Sequence, residues 1–224
     1  MPILSTAYLG NIRYYTKLLQ TAEPAVIEQH ENFVKQSCRN RCDILGANGV
    51  ISLIIPVHKT SGEKTPIRQT RIDYSKNWQH RHWNSIHSAY KNSPYFDHYA
   101  ARFEPFYREQ TELLWDFNRE IQQVVLDALG AEPQFRYSED YMRPTNPDED
   151  FRNAFSDKPR LYRPDPAFHA VPYYQVFSEK MPFVPDLSIL DLLFCEGPGA
   201  LEIIRRSATL SGPERAWSRS TPRE

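Results

Sequence analysis

The chain has 224 residues, with 27 basic and 28 acidic side chains and a formal net charge of −1, so it lacks the basic footprint of a dedicated nucleic-acid binder and any anion site must be local. Its length suits one main core. No run approaches the ~18–20 apolar residues of a membrane span, and the amino terminus lacks a signal-peptide pattern, so a soluble cytoplasmic protein is expected.

"PILSTAYLGNIRYYTKLLQ" reads as a short apolar strand, a turn over Leu9 to Asn11, and a helix capped by Asn11 with Ile12, Tyr15, Leu18 and Leu19 on one side. "AVIEQ", Ala25 to Gln29, follows as a second strand, which completes a parallel βαβ start. In "CDILGANGVISLIIPV" two apolar runs flank Asn48-Gly49, the signature of a tight hairpin. Strands are predicted over Asp43 to Leu45 and Val50 to Val57, the second covered on both faces and central because Leu53, Ile54 and Ile55 are consecutive. "IRQTRID" is predicted to form another strand from Ile67 to Ile72.

Helices are predicted from Trp83 to Lys91, Pro94 to Glu109 and Glu112 to Leu129. The last carries a stripe of Leu114, Phe117, Ile121, Val124, Val125 and Leu129, with Gly130 as its stop. Residues 131–170, with "RPTNPDEDFRN" and "RPDPAF", have the composition of a Pro-rich loop or flap. "YYQVF" reads as a strand, "SILDLLFCEG" as a helix and "PGALEIIRR" as a short terminal helix. The expected fold class is α/β: a single domain over 1–204, a small central mixed sheet with a parallel βαβ start and a hairpin, flanking helices, and a flexible tail over 205–224.

Four blocks in order, "AYLGNIRYYTKLL", "ENFVKQSCRNRCDILGANGVISLIIPV", "WQHRHWNSIHSAYKNSPYF" and "YYQVFSEKMPFVPDLSILDLLFCEGP", resemble the WbqC-like proteins of bacterial surface-polysaccharide gene clusters. They extend from Ala7 to Pro198. The resemblance implies a transferase, since members have been proposed to attach glycine to O-antigen sugars. The family pattern commonly has an aromatic residue where this chain has Cys38.

Several groups of residues bear on chemistry. Lys35, Arg39, Asn40 and Arg41 gather charge and amide before the hairpin. In extended chain Arg39 and Arg41 point the same way and clamp a phosphate or carboxylate; the competing reading is surface ion pairs with Glu28 or Glu31. His80 and His82, in "WQHRHW", are candidates for the general acid or base. On a strand they could instead share a metal with His87 or His98, although no carboxylate or cysteine stands at ligand spacing and Cys38, Cys42 and Cys195 lack zinc-site partners. No residue is assigned as a metal ligand.

Tyr8 and Asn11 sit at the first strand-to-helix turn, where ligands settle in open α/β sheets; the competing reading is that Gly10 and Asn11 serve the turn alone. Tyr95, after Ser93-Pro94, could form a wall for a sugar or base, or merely pack at a helix start. Asp186, Ser188, Asp191 and Glu196 accompany the last helix; capping and the helix dipole explain Ser188 and Asp191 in its first turns, whereas Glu196 could pair with Arg39 or Arg41.

The resulting expectation is a transferase moving an acyl or aminoacyl group, for example glycyl, to a sugar or similar acceptor in surface-polysaccharide biosynthesis. Lys35, Arg39 and Arg41 hold an anionic small-molecule substrate, a sugar nucleotide or acyl donor, and His80 or His82 takes the proton across a common cleft. The alternative is a non-catalytic binding protein for a nucleotide-linked sugar or a partner enzyme; a third reading makes residues 78–98 a metal-hydrolase site. Sequence names no cofactor and leaves the oligomeric state open.

Overall fold

The computed structural model describes residues 1–20, 23–58, 64–155 and 164–208. It is a mixed α/β arrangement built from a three-stranded parallel sheet, a two-stranded antiparallel hairpin and packed helices.

Strands β1 (Ile3–Leu4) and β2 (Val26–Ile27) pair in parallel across helix α1 (Ile12–Leu18), as the opening sequence predicts. Asn11 caps α1, its Oδ1 accepting from the Tyr14 N–H at 3.0 Å. Every residue of α1 is buried, including Arg13 and Lys17. A helix enclosed on all sides must pair its charges internally. Lys17 Nζ accordingly donates to Asp165 at 2.9 Å, and Arg13 turns to Asp186.

The hairpin consists of β3 (Arg41–Gly46) and β4 (Gly49–Ile54), which reverse through Ala47 and Asn48. Gly49, with φ +114°, has the backbone freedom this turn requires. β4 is neither central nor covered on both faces: β3 and β4 form a sheet of their own, and Val50, Ile51 and Ile54 are exposed. The apolar run instead alternates, with Leu53 inside, and Ile55 enters the core beyond the strand.

Helices α2 (Trp78–Tyr90), α3 (Phe96–Phe103) and α4 (Leu114–Leu129) follow. The α4 stripe faces the core, and Gly130 ends the helix in left-handed backbone at φ +60°. α5 (Ile189–Glu196) starts at Ser188, whose side chain caps Leu190 N–H, and α6 (Ala200–Ser207) follows a 3₁₀ turn over Gly197–Gly199. The Phe194 ring of α5 sits among Tyr90, Phe96 and Phe103 at centroid distances of 5.3, 5.2 and 5.9 Å, joining α2, α3 and α5.

Several expectations need correction. Ile67–Gln69 is a 3₁₀ turn, so no strand spans 67–72; only bridges form there, Val57 to Ile72 and Arg71 to Leu113. α2 begins five residues earlier than predicted and therefore contains both His80 and His82. The second predicted helix splits into α3 and a 3₁₀ turn over Glu104–Tyr107, where Pro105 cannot donate the hydrogen bond that continues an α-helix.

Part of the Pro-rich region is scaffold. β5 (Arg136–Tyr137) adds to β2 in parallel, and Phe151 N–H bonds Ile3 O at 2.8 Å on the far edge of β1. Residues 156–163 of the expected flap lie outside the described residues. "YYQVF" is not a strand: Tyr174 N–H donates to the Glu196 side chain, and the chain turns at once, with Ser178 N–H on Gln175 O and Lys180 N–H on Phe177 O at 2.9 Å each. The expected 205–224 tail starts inside α6, and 209–224 lie outside the described residues.

Candidate functional site

Three chain segments are laced together by main-chain bonds beside the amino end of α1. Ile12 N–H bonds Leu187 O at 3.1 Å, Ser188 N–H bonds Asp43 O at 2.8 Å, and Ile189 N–H bonds Gly10 O at 2.9 Å. Ser188 Oγ adds a bond to Leu9 O at 2.9 Å. Between them opens a cleft of about 570 Å³. Its floor is the outer face of the hairpin, with Arg41, Asp43 and Val50, and its far wall is the segment from Val184 to Ser188; Asn11, Arg13 and Phe155 complete it.

Strand alternation puts Arg41 and Asp43 on one face. Arg41 Nη2 donates to Ser52 Oγ at 2.7 Å, and Ser52 Oγ donates to Asp43 Oδ1 at 2.5 Å. Arg41 and Asp43 side chains retain 25% and 27% exposure, so both meet solvent in the cleft.

Opposite them, Asp186 Oδ2 accepts from Asn11 Nδ2 at 2.8 Å and Oδ1 from Arg13 N–H at 2.8 Å, with Arg13 Nε at 3.5 Å. Burial pushes the Asp186 carboxyl up to about 7; the Arg13 charge and N–H oppose that rise, and the nearby Asp165 adds to it. A carboxyl that titrates near neutrality is suited to accept and return a proton. Burial also raises the Cys38 and Cys42 thiols, which keeps them protonated and poor as nucleophiles.

Backbone strain converges on the same place. The non-glycine residues with left-handed backbone among the described residues are Leu9 (φ +46°), Gln36 (φ +56°) and Asp186 (φ +55°). Asp186 lines the cleft, Gln36 precedes its lining residues Ser37 and Cys38, and the Leu9 carbonyl holds Ser188. Each such conformation costs about 1–3 kcal/mol, and such costs cluster at functional sites.

Of the residues given a substrate-binding or catalytic role from sequence, Asn11 and Arg41 line this cleft, and Asp186 and Ser188, named beside the last helix, line it too. Arg39 does not join Arg41. It precedes β3 in a turn, closed by Asn40 N–H on Ser37 O, so strand alternation does not govern it. Its guanidinium is fully buried, donating Nε to Glu31 Oε1 at 2.8 Å and Nη2 to Glu31 Oε2. The competing reading's partner, Glu31, is thus the right one, but the pair lies inside the protein. Asn40 Nδ2 donates to Ile55 O at 2.7 Å, and Lys35 is exposed on the segment that precedes the turn.

His80 and His82 are separated by their helix. Two positions along an α-helix amount to about 200° of rotation, so His80 is exposed, 2.8 Å from Asn84, and His82 is buried. His82 Nδ1 stands 3.0 Å from Tyr8 Oη, which stands 2.9 Å from Tyr107 Oη. Burial drives the imidazole pKa down to about 4, against a hydrogen bond with the Ile54 backbone. Neither imidazole lines the cleft, and the strand geometry needed for a shared metal does not occur.

Tyr95 packs over Gly197, where a Cβ would stand 2.5 Å from its ring. Glu196 accepts from Tyr174 N–H at 3.0 Å and not from Arg39 or Arg41. Sequence reasoning named Asp186 beside the last helix without giving it a role, and passed over Arg13 and Asp43. The available signal was an acidic residue two positions before the Ser188 cap, which looks like ordinary capping until Arg13 and Asn11 arrive from more than 170 positions away.

No helix among the described residues is long and apolar enough to cross a membrane. A sequence model described as the WbqC-like protein family matches residues 7–156, more than half of the chain. An uncharacterised protein of Mycobacterium tuberculosis, Rv1507c, is 25% identical over 214 residues, covering 86% of this chain and 92% of that protein. No solved structure matches significantly. The chain belongs to the WbqC-like protein family.

Proposed function

We propose that the protein is a cytoplasmic transferase that moves an acyl or aminoacyl group to a sugar or similar acceptor in surface-polysaccharide biosynthesis, and that the cleft above α1 is its site. Asp186 is the proton acceptor and Arg41 the anchor for an anionic part of donor or acceptor. One observation carries the reading: a carboxyl that titrates at about 7 is held in left-handed backbone on a cleft wall, facing the Arg41-bearing floor. The placement of His80 and His82 outside the cleft moves the proton-accepting role from them to Asp186.

In this mechanism ionised Asp186 takes the proton from the acceptor's amine or hydroxyl. The freed lone pair forms the bond to the acyl carbon. The bond from that carbon to the donor's leaving group breaks, the leaving group keeps the electron pair, and protonated Asp186 returns the proton to it. Arg13, beside Asp186, limits the rise in its pKa, so that a usable fraction stays ionised near neutrality. Phe155 offers an apolar ring face on the same cleft.

The test is Asp186→Asn, assayed with sugar nucleotides and activated acyl or aminoacyl donors. Turnover is expected to fall by about 10²–10⁴-fold with little change in ligand affinity, while His80→Ala leaves both unchanged. A turnover loss confined to the His80 variant would reject the assignment. The second reading, a non-catalytic binding protein for the same class of ligand, is favoured by the mutual bonding of Arg41, Asp43 and Ser52, which completes the floor without a reacting group. It predicts ligand binding that Arg41→Ala weakens, with no turnover by the wild type.

A further inference from the structure

The cleft wall that carries Asp186 begins at Val184, and Val184 is held by one side-chain amide. Gln175, 1% exposed, accepts from Val184 N–H through Oε1 at 3.0 Å and donates Nε2 to Val184 O at 2.9 Å. The amide thus takes the place of a main-chain partner for Val184. At its other end the wall is tied by Leu187 O to Ile12 N–H and by Ser188 N–H to Asp43 O. Asp186 lies between these anchors in a conformation that persists only where its surroundings enforce it.

An amide can bond Val184 in this way in one orientation only, and a neighbour sets that orientation. Gln175 Nε2 also donates to Asp191 Oδ2 at 3.0 Å. Asp191 is fully buried and accepts from Tyr90 Oη at 2.8 Å and Tyr173 Oη at 2.6 Å. Asp191 Oδ2, which also accepts from Tyr173 Oη, faces the NH₂ end of the amide, which turns Oε1 toward Val184 N–H. Flipping the amide would bring oxygen against carboxylate and NH₂ against N–H.

We propose that Asp191 and Gln175 form a positioning pair: the buried carboxylate orients the amide, the amide pins Val184, and the pinned wall holds Asp186 within reach of Asn11 and Arg13. This deepens the transferase reading and rests on it for its functional meaning, but the geometry can be tested separately. Both residues act through the wall, Gln175 by its bonds to Val184 and Asp191 by its bond to Gln175.

Hydrogen exchange of individual amides in the full-length protein provides the test. Arg13 N–H and Ile12 N–H depend on acceptors from the wall, Asp186 Oδ1 and Leu187 O, whereas Tyr15 N–H depends on Asn11 O beside its own helix. Gln175→Met, close in volume but without the amide, is expected to speed exchange at Ile12 and Arg13 by about tenfold or more relative to Tyr15. Equal acceleration at all three amides, the signature of general destabilisation, or none at Ile12 and Arg13, would overturn the proposal. If Gln175→Met fails to fold, Tyr173→Phe, which removes one hydroxyl from the same carboxylate, is expected to give the same selective pattern at smaller size, with the same results overturning it.

A carboxyl NMR titration of Asp186 in the same samples separates the two ideas. Its midpoint should fall toward the ordinary range of ~4 in Gln175→Met as the wall opens to water. An ordinary midpoint already in the wild type would remove the proton-acceptor reading, while the exchange pattern would still decide the positioning pair.

Discussion

The two sides of the hairpin treat similar residues in opposite ways. Beneath it, Arg39 is sealed against Glu31, and His82 against Tyr8 and Tyr107, so every charge and ring is committed to protein. On the outer face Arg41 and Asp43 retain exposure and open onto a cleft whose far wall holds a near-neutral carboxyl in strained backbone. The difference separates polar groups that fix the architecture from polar groups that remain available to a ligand. Residue type does not reveal this, since the two arginines are two positions apart.

The sharpest way to break this comparison is to truncate both arginines. Arg39→Ala leaves Glu31 buried without its cation and should lower the unfolding free energy by about 3–5 kcal/mol, read from urea denaturation. Arg41→Ala removes a partly exposed pair and should cost under about 1 kcal/mol while weakening ligand binding. Equal losses would erase the distinction between the two faces.

A smaller effect is expected at the buried seam. His82→Ala leaves the Tyr8 hydroxyl with one partner fewer and should cost about 1–3 kcal/mol, with no direct effect on ligand affinity. Gly197→Ala tests the packing role of Tyr95. At φ +51°, with the new Cβ set against the Tyr95 ring, it should cost about 1–3 kcal/mol in the same assay.

The smallest signal is a pH slope, and it has two opposed sources. Asp186 is raised from 3.8 to about 7, so the folded state holds its proton more tightly and this contribution to stability is lost as pH rises from about 4 through 7. Glu31 and Asp191, also raised by burial, act in the same direction. His82 is lowered from 6.5 to about 4, so its contribution is lost as pH falls through that window. Thermal midpoints between pH 4 and 8 should therefore fall more steeply on the acid side in Asp186→Asn than in the wild type, and less steeply in His82→Gln.

Much of the scaffold was legible because local chemistry specifies it. Asn11 and Ser188 cap the helices they precede, Gly49 and Gly130 take the backbone that a turn and a helix end require, and the α4 stripe follows its period. The errors have physical causes as particular. β5 is two residues long and belongs to the sheet only because β2 lies beside it. Leu53, Ile54 and Ile55 read as doubly buried, yet the hairpin is not covered by a further sheet, and Ile54 is exposed. "YYQVF" does not form a strand because Glu196 takes the Tyr174 N–H and the chain turns from Val176 onward.

The sequence by itself determined the family, the βαβ opening, the hairpin and the helical core, since each is written in spacing, caps and turn residues that act over a few positions. Only the tertiary structure decided which charges are buried and which face solvent. Asp186 acquires its pKa from burial and from Arg13, far away along the chain, and His82 loses its charge to the aromatic interior around Tyr8 and Trp78. Electrostatic character follows from solvent exclusion and from neighbours in space, and neither is fixed until the chain has closed on itself.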